Sequence, residues 1–171
     1  MKHGSRAGML ARTGAVILLA PAFVLAIGSG AMAEPAPPSE QIGNPEVTLR
    51  MEEGPDAAEA ITCQIFANKP NYSGGKITGT GGLSSCAGGT PLACNSEVDL
   101  QIYLSGPGWT TAGASSRQHR CPPPARSTTA SVSCESTSQT YSYRSQTLGT
   151  ITAGSTDSDI ATSSTLNVRC L

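Results

Sequence analysis

The stretch that decides the fold is EVDLQIYL, residues 97–104. Apolar and polar side chains alternate along it, with Val98, Leu100, Ile102 and Leu104 on one face and Glu97, Asp99, Gln101 and Tyr103 on the other. Successive side chains of a β-strand point to opposite faces of its sheet. The pattern therefore predicts a strand with one face in a core and the other in solvent. Gly106-Pro107-Gly108 follows and predicts the turn that ends this strand.

Shorter segments on both sides of this strand have a similar character. We predict further strands at residues 61–65, 76–84, 127–134, 140–151 and 164–170, a weak strand at 47–51, and turn residues at 68–75. After residue 33, only residues 56–60 suit a helix, and then a single turn. The predicted fold class is all-β, an antiparallel, Ig-like β-sandwich of about six to eight short strands.

The region 127–165 is unusually rich in hydroxyl side chains, with 21 Ser or Thr in 39 positions. Threonine favours strands because its β-branched side chain suits a pleated surface. The alternative is a disordered, mucin-like tail. Cys134 and Cys170 bracket most of the region and favour the folded interpretation.

The N-terminal 33 residues have the three parts of a signal peptide. A basic start is followed by an almost wholly apolar stretch at residues 14–27, and then by Ala31-Met32-Ala33, small residues of the kind that signal peptidase reads. The apolar stretch is shorter than the roughly 20 residues that span a bilayer. We therefore expect a secreted protein without a stable membrane anchor in its mature chain; the alternative is a retained anchor.

The rest of the chain divides into a linker and one domain. Residues 34–46, EPAPPSEQIGNPE, contain four prolines and little to bury, and they predict a disordered linker that folding does not require. Residues 47–171 are then the β-sandwich domain.

Six cysteines follow the signal peptide, at positions 63, 86, 94, 121, 134 and 170. An even number in a short exported chain predicts three disulfides, formed in an oxidising compartment. Spacing alone leaves the pairing open. One set joins Cys86 to Cys94 and Cys121 to Cys134 across short loops, and joins Cys63 to Cys170 between the first and last strands. Zinc binding is the alternative, but the paired Cys-x(2–4)-Cys spacing of structural zinc sites is missing.

Charge and motifs exclude several functions. The formal net charge is −1, and the basic residues are scattered instead of forming a stripe, so we expect no nucleic acid partner. His119 is the one histidine after the signal peptide, and the chain has no Gly-x-Ser-x-Gly motif to suggest a nucleophile. Glu97 and Asp99 share a strand face and are the best candidates for a carboxylate pair, but an ordinary solvent face is the favoured interpretation. We expect a non-enzymatic protein with no metal or cofactor.

Aromatic side chains are the best candidates for binding. Trp109, the only tryptophan, follows the Gly-Pro-Gly turn, and Tyr103 lies on the polar face of the preceding strand. Tyr141 and Tyr143 share a face of a later strand. Planar rings on a β-sheet stack on sugars or contact partner proteins. The alternative is that Tyr141 and Tyr143 complete the core while Tyr103 and Trp109 cover edges.

The segments YSGGKITGTGGLSSC (72–86), EVDLQIYL (97–104), SVSC (131–134) and YSYRSQTL (141–148) carry a resemblance to a group of proteins. They resemble small secreted β-sandwich proteins of actinomycete-type bacteria, mostly without assigned function. The resemblance covers roughly residues 60–171 and implies an exported β-sandwich, with no activity or functional residues. A weaker similarity, of fold alone, is to the apo-chromoprotein carriers of actinomycetes.

We therefore expect a secreted, non-enzymatic β-sandwich that binds a cell-surface, carbohydrate or protein partner, such as a cell-wall polymer. Two alternatives stay open. One is a secreted hydrolase that uses surface carboxylates. The other is a protease-inhibitor-like protein or a carrier of a small ligand.

Overall fold

The alternation in residues 97–104 lies in the middle of a long strand in the computed structural model, which describes residue 43 and residues 45–51, 60–135 and 138–170. Ten strands form within these residues: β1 Glu46–Met51, β2 Ile61–Ala67, β3 Asn71–Ser73, β4 Lys76–Ala87, β5 Ala93–Leu104, β6 Gly108–Ala114, β7 Arg126–Ser133, β8 Thr140–Ala153, β9 Ser155–Thr162 and β10 Leu166–Arg169. No described residue is helical.

The strands form two five-stranded antiparallel sheets. In sheet I, β1 pairs with β2, and β4 pairs with β2, β3 and β7. In sheet II, β8 pairs with β5, β9 and β10, and β5 also pairs with β6. The sheets meet at their edges as well as their faces, because β1 of sheet I lies beside β9 of sheet II. There the backbone N–H of Arg50 donates to Oδ2 of Asp157 at 2.9 Å. This confirms the predicted all-β, disulfide-stapled sandwich.

Each strand predicted from alternation is present, and three more were not anticipated. β3 lies in the predicted turn region, where Gly74 and Gly75, with φ of 56° and 74°, form its tight hairpin with β4. Two residues with positive φ are what such a two-residue hairpin turn requires. β6 and β9 were missed because their sequences, GWTTAGA and STDSDIAT, bury few apolar side chains.

Several expectations about the N-terminal half lie mostly outside the described residues. These are the signal peptide, the helical turn at 56–60 except for Ala60, and the linker except for its last residues. Pro45 accepts a hydrogen bond from the backbone N–H of Ala67 at 2.9 Å, and β1 begins at Glu46, one residue before the expected domain boundary.

The core between the sheets has two apolar clusters. The first gathers Leu49, Ile61, Ile65, Leu83 and Ile151 with their neighbours. The second is built around Ile77, Val98, Leu100 and Tyr143. Between them, the inward hydroxyls of Ser145 and Thr147 on β8 face Gly79 and Gly81 on β4, where a Cβ atom would collide with them. Glycine therefore sets the close approach of the sheets at this point.

The six cysteines form three disulfides, as predicted, but their pairing is not the one expected. Cys63 pairs with Cys86, Cys94 with Cys121, and Cys134 with Cys170. Cys63 and Cys86 are register partners on β2 and β4, with Cα atoms 4.1 Å apart. The expected link from Cys63 to Cys170 is wrong because these two cysteines lie in different apolar clusters, and the links Cys86–Cys94 and Cys121–Cys134 fail with it. Three disulfides are typical of a protein that folds in an oxidising environment.

Within the described part of the chain, we find no helix of the length and apolarity that a membrane span requires.

Candidate binding surface

The outward side chains of β5, β6, β8 and β9 form the solvent face of sheet II, which we call the outer face. The strand register arranges them in rows: Tyr103 beside Trp109, Gln101 beside Arg144, Asp99 beside Gln146, Glu97 beside Leu148 and Ile160, and Asn95 beside Thr150. Because neighbouring strands lie about 5 Å apart, side chains in one row are within contact distance.

An aromatic pair and an arginine occupy one end of the outer face. The rings of Tyr103 and Trp109 meet edge to face, with centroids 5.5 Å apart and planes inclined at 68°. The guanidinium carbon of Arg144 lies 4.3 Å from the centroid of the Trp109 ring, a cation–π contact. One face of the indole is therefore covered by a cation and is not open to solvent.

A chain of hydrogen bonds runs from this end toward the middle of the face. Nε of Arg144 donates to Oε1 of Gln101 at 2.8 Å. Nε2 of Gln101 then donates to Oε1 of Gln146 at 3.1 Å. Both bonds cross from one strand to its neighbour, so the planar ends of these three side chains are fixed relative to the backbone. Such a surface needs little reordering when a ligand binds.

The middle of the outer face combines apolar and charged groups. Leu148 and Ile160 are register partners and are 37% and 44% exposed, which is unusual for large aliphatic side chains. Beside them, Nε and Nη2 of Arg117 both lie 2.9 Å from Oε2 of Glu97. The hydrogen bond and the negative charge of Glu97 raise the pKa of Arg117.

Arg117 reaches the outer face because its segment runs along β5 beyond the end of β6. Ser96 and Gln118 exchange two backbone hydrogen bonds, of 2.9 and 2.8 Å. The same pairing brings His119 to Asn95, where Nδ1 donates to Oδ1 at 2.6 Å. The segment therefore adds polar side chains to the far end of the outer face.

Two shallow depressions lie on this face. One, of about 250 Å³, is lined by Asn95, Ser96, Glu97, Arg117, Leu148 and Thr150. The other, of about 120 Å³, is lined by Glu97, Asp99, Gln146, Leu148 and Ile160. Pockets for drug-sized ligands are generally larger and more enclosed. The shape suits an extended ligand that lies across the strands better than a small molecule held inside.

The structure brings together two of the four aromatic residues proposed for binding. Tyr103 and Trp109 lie side by side on the outer face. Tyr143 is only 5% exposed and belongs to the second core cluster, and Tyr141 packs against that cluster. Alternation along β8 explains the division, because Tyr141 and Tyr143 point inward and Arg144 points outward.

The groups considered for catalysis or metal binding do not converge. Glu97 and Asp99 lie side by side on one strand of an open face, whereas the carboxyl groups of glycosidases flank the bond they cleave. His119 is exposed and bonded to Asn95. Within the described ranges, no group of three His, Cys, Asp or Glu side chains is arranged to hold a metal ion.

Sequence reasoning overlooked Arg144, Gln146 and Arg117. A signal for the first two was present, since alternation with Tyr141 and Tyr143 already places residues 144 and 146 on the opposite face of that strand. The register that sets them beside Gln101 and Asp99 was not available from sequence. Arg117 gave no signal, because its segment pairs with β5 outside any predicted strand.

Comparison of the chain with known protein families, with curated proteins and with solved structures gave no match. The resemblance to secreted actinomycete-type proteins stays a prediction.

Proposed function

We propose that this is a secreted, non-enzymatic binding protein, and that its outer face binds a polysaccharide of a cell surface. Secretion is supported by the signal-peptide pattern of residues 1–33 and by the three disulfides.

The observation that carries the proposal is the ordered set of planar polar groups on a rigid sheet. The guanidinium of Arg144 and the amides of Gln101 and Gln146 are held by hydrogen bonds to one another, and apolar Leu148 lies beside them. Sugar rings offer neighbouring hydroxyls to planar polar groups and apolar C–H faces to aliphatic or aromatic side chains. The outer face supplies both kinds of contact.

The half of the opposite surface formed by β4 and β7 differs in character from the outer face. Outward positions of β4 and β7 carry mainly Ser and Thr, such as Thr80 and Thr129, whose hydroxyls lie 3.2 Å apart. This difference supports the choice of the outer face for the proposal.

A protein partner is the second candidate, and one observation favours it. Leu92 is 82% exposed in the segment between Cys86 and Cys94, and both cysteines are in disulfides. An exposed apolar side chain on a braced segment is typical of protease inhibitors. However, the backbone N–H of Leu92 already donates to Thr152 at 2.8 Å, so it is not free to pair with a protease.

Retention on insoluble bacterial cell walls, chitin and cellulose tests the proposal. We expect the protein to be retained on at least one of these polymers, and Trp109→Ala to weaken retention by about 2 kcal/mol, roughly 30-fold. Thr129→Ala, on the opposite sheet, is the matched control and should bind as the native protein does. Equal binding by the two variants, or no binding by the native protein, would remove the outer face as a polysaccharide site. Inhibition of subtilisin that Leu92→Asp abolishes would instead support the protein partner.

A further inference from the structure

We propose that Arg144 is an oxyanion-binding group, and that the polysaccharide bound by the outer face is acidic, with its uronic acid carboxylates paired to this guanidinium. The inference rests on the proposed function and goes further by naming the chemical class of the ligand.

The first step is the environment of the charge. Arg144 is half-buried, against Trp109 on one side and Gln101 on the other. Burial lowers the pKa of Arg144, because the charged guanidinium loses part of its hydration there. An anion bound at this position would stabilise the charge.

The second step concerns counter-ions among the described residues. No carboxylate of a described residue lies within salt-bridge distance of Arg144. Of the two acids on the same face, Glu97 is paired with Arg117. Asp99 is two residues along β5 from Gln101, the register partner of Arg144, which places it roughly 7 Å along the strand. Among the described residues, the charge of Arg144 therefore has no carboxylate partner, and an anionic ligand would supply one.

The third step is geometry. Gln101 occupies Nε, so the two Nη groups of Arg144 are the donors that remain for a ligand. Two N–H groups on a planar guanidinium match the two oxygens of a carboxylate. The guanidinium also lies over the Trp109 ring, and this contact and the Gln101 bond restrict its position before binding. A lysine at this position would provide the positive charge but not the pair of coplanar N–H donors.

The fourth step concerns the size of the ligand. From Asn95 to Tyr103 the outward side chains of β5 extend over nine residues, and the eight steps between them span roughly 27 Å. A monosaccharide would cover only part of this length. A chain of several uronate units would place one carboxylate on Arg144 and lay its other sugars over Gln146 and Leu148.

The test is calorimetric titration of the full chain with oligomers from polygalacturonate, alginate and hyaluronan, and with methyl-esterified oligogalacturonate. The ester keeps the sugar and its shape but removes the charge. We expect binding of at least one uronate oligomer, at least tenfold weaker binding when its carboxylates are esterified, and weakening as salt is raised. A parallel titration with polyphosphate tests whether another oxyanion competes with the uronate for Arg144.

Three variants assign the effect. Arg144→Gln should lose at least tenfold in affinity for the acid and bind acid and ester alike, and Arg144→Lys should recover only part of the loss. Lys76→Gln removes one positive charge from sheet I and should behave as the native protein. Fluorescence from Trp109 and the melting temperature check that the variants are folded.

Several outcomes would overturn the inference. The native protein could bind the acid and the ester with equal affinity, or bind no uronate oligomer at all. Arg144→Gln could bind the acid as tightly as the native protein does, or Arg144→Gln and Lys76→Gln could lose affinity to the same extent. If the native protein is nevertheless retained on a cell-wall polymer in a Trp109-dependent manner, the proposed function stands and the acidic ligand is wrong. If that retention also fails, both are wrong.

Discussion

Arg144 changes what Trp109 can do. A lone exposed tryptophan after a turn suggests a ring on which a sugar stacks, but here the guanidinium lies 4.3 Å from the ring centroid and covers one face. In the proposed site, the group that meets the ligand is then the guanidinium, and the indole lies against it. At the residue scale, the proposed binding surface therefore rests on the contact between Arg144 and Trp109.

The buried ring of Tyr143 gives a prediction about alkaline stability. Burial, with a smaller contribution from Tyr141, raises the pKa of Tyr143 above its ordinary value of 10.0. The folded protein therefore keeps a proton that the unfolded chain releases, and the free energy of unfolding falls as pH rises above about 10.

We expect Tyr143→Phe to flatten this fall between about pH 9 and 11, and to change stability by no more than about 1 kcal/mol at pH 7. Urea unfolding across this pH range measures both effects. Tyr103→Phe, on the outer face and away from Tyr143, is the control. Parallel pH profiles for the native protein and Tyr143→Phe would show that this hydroxyl does not control alkaline stability.

At the scale of elements, the contact between β4 and β8 explains why a sequence so rich in Gly and Ser packs as a sandwich. A Cβ on Gly79 would lie 2.6 Å from Oγ of Ser145, a buried hydroxyl that no described group hydrogen-bonds. Small residues on facing strands allow close approach, and the apolar clusters lie on either side of this contact.

This contact can be tested with a double-mutant cycle. Gly79→Ala should destabilise the protein by about 1–3 kcal/mol, because the added methyl group collides with Ser145. Ser145→Ala removes an unpaired hydroxyl and should be neutral or slightly stabilising. The double variant should recover most of the loss in chemical unfolding, because the collision is gone. A double variant as unstable as Gly79→Ala would mean that this pair does not set the spacing of the sheets.

Predictability from sequence differs between elements for physical reasons. Alternation located β2, β5 and β10 because their inward positions carry Ile, Val, Leu or Cys. β6 and β9 bury little, so no apolar period marks them. Of the candidate binding surface, sequence reasoning singled out Tyr103 and Trp109. Arg144 was not singled out, because its contacts with Gln101 and Trp109 depend on how the strands pair. That pairing is set by long-range packing, which the sequence does not show.

At the scale of the whole molecule, three disulfides support a thin core. Cys63–Cys86 and Cys94–Cys121 belong to one apolar cluster, and Cys134–Cys170 ties the end of the chain to the other. A cross-link restricts the unfolded chain and so stabilises the folded state. Each apolar cluster therefore contains at least one disulfide that stabilises it.

Removing one cross-link should therefore be costly. We expect replacement of Cys134 and Cys170 by Ala to lower the free energy of unfolding by about 2–4 kcal/mol. Non-reducing peptide mapping of the native protein should recover the three pairs described above, with free thiol near zero. Recovery of a peptide that links Cys63 to Cys170 would contradict the two-cluster account.

The most direct test of the central claim, that the outer face of sheet II binds an acidic sugar polymer, is an NMR titration of the ¹⁵N-labelled protein with uronate oligomers. The account predicts saturable shifts of the Trp109 indole N–H, the Arg144 Nε–H and the amides of Gln101 and Gln146, with sheet I unaffected. Shifts centred on sheet I, or no saturable shift on the outer face, would contradict it.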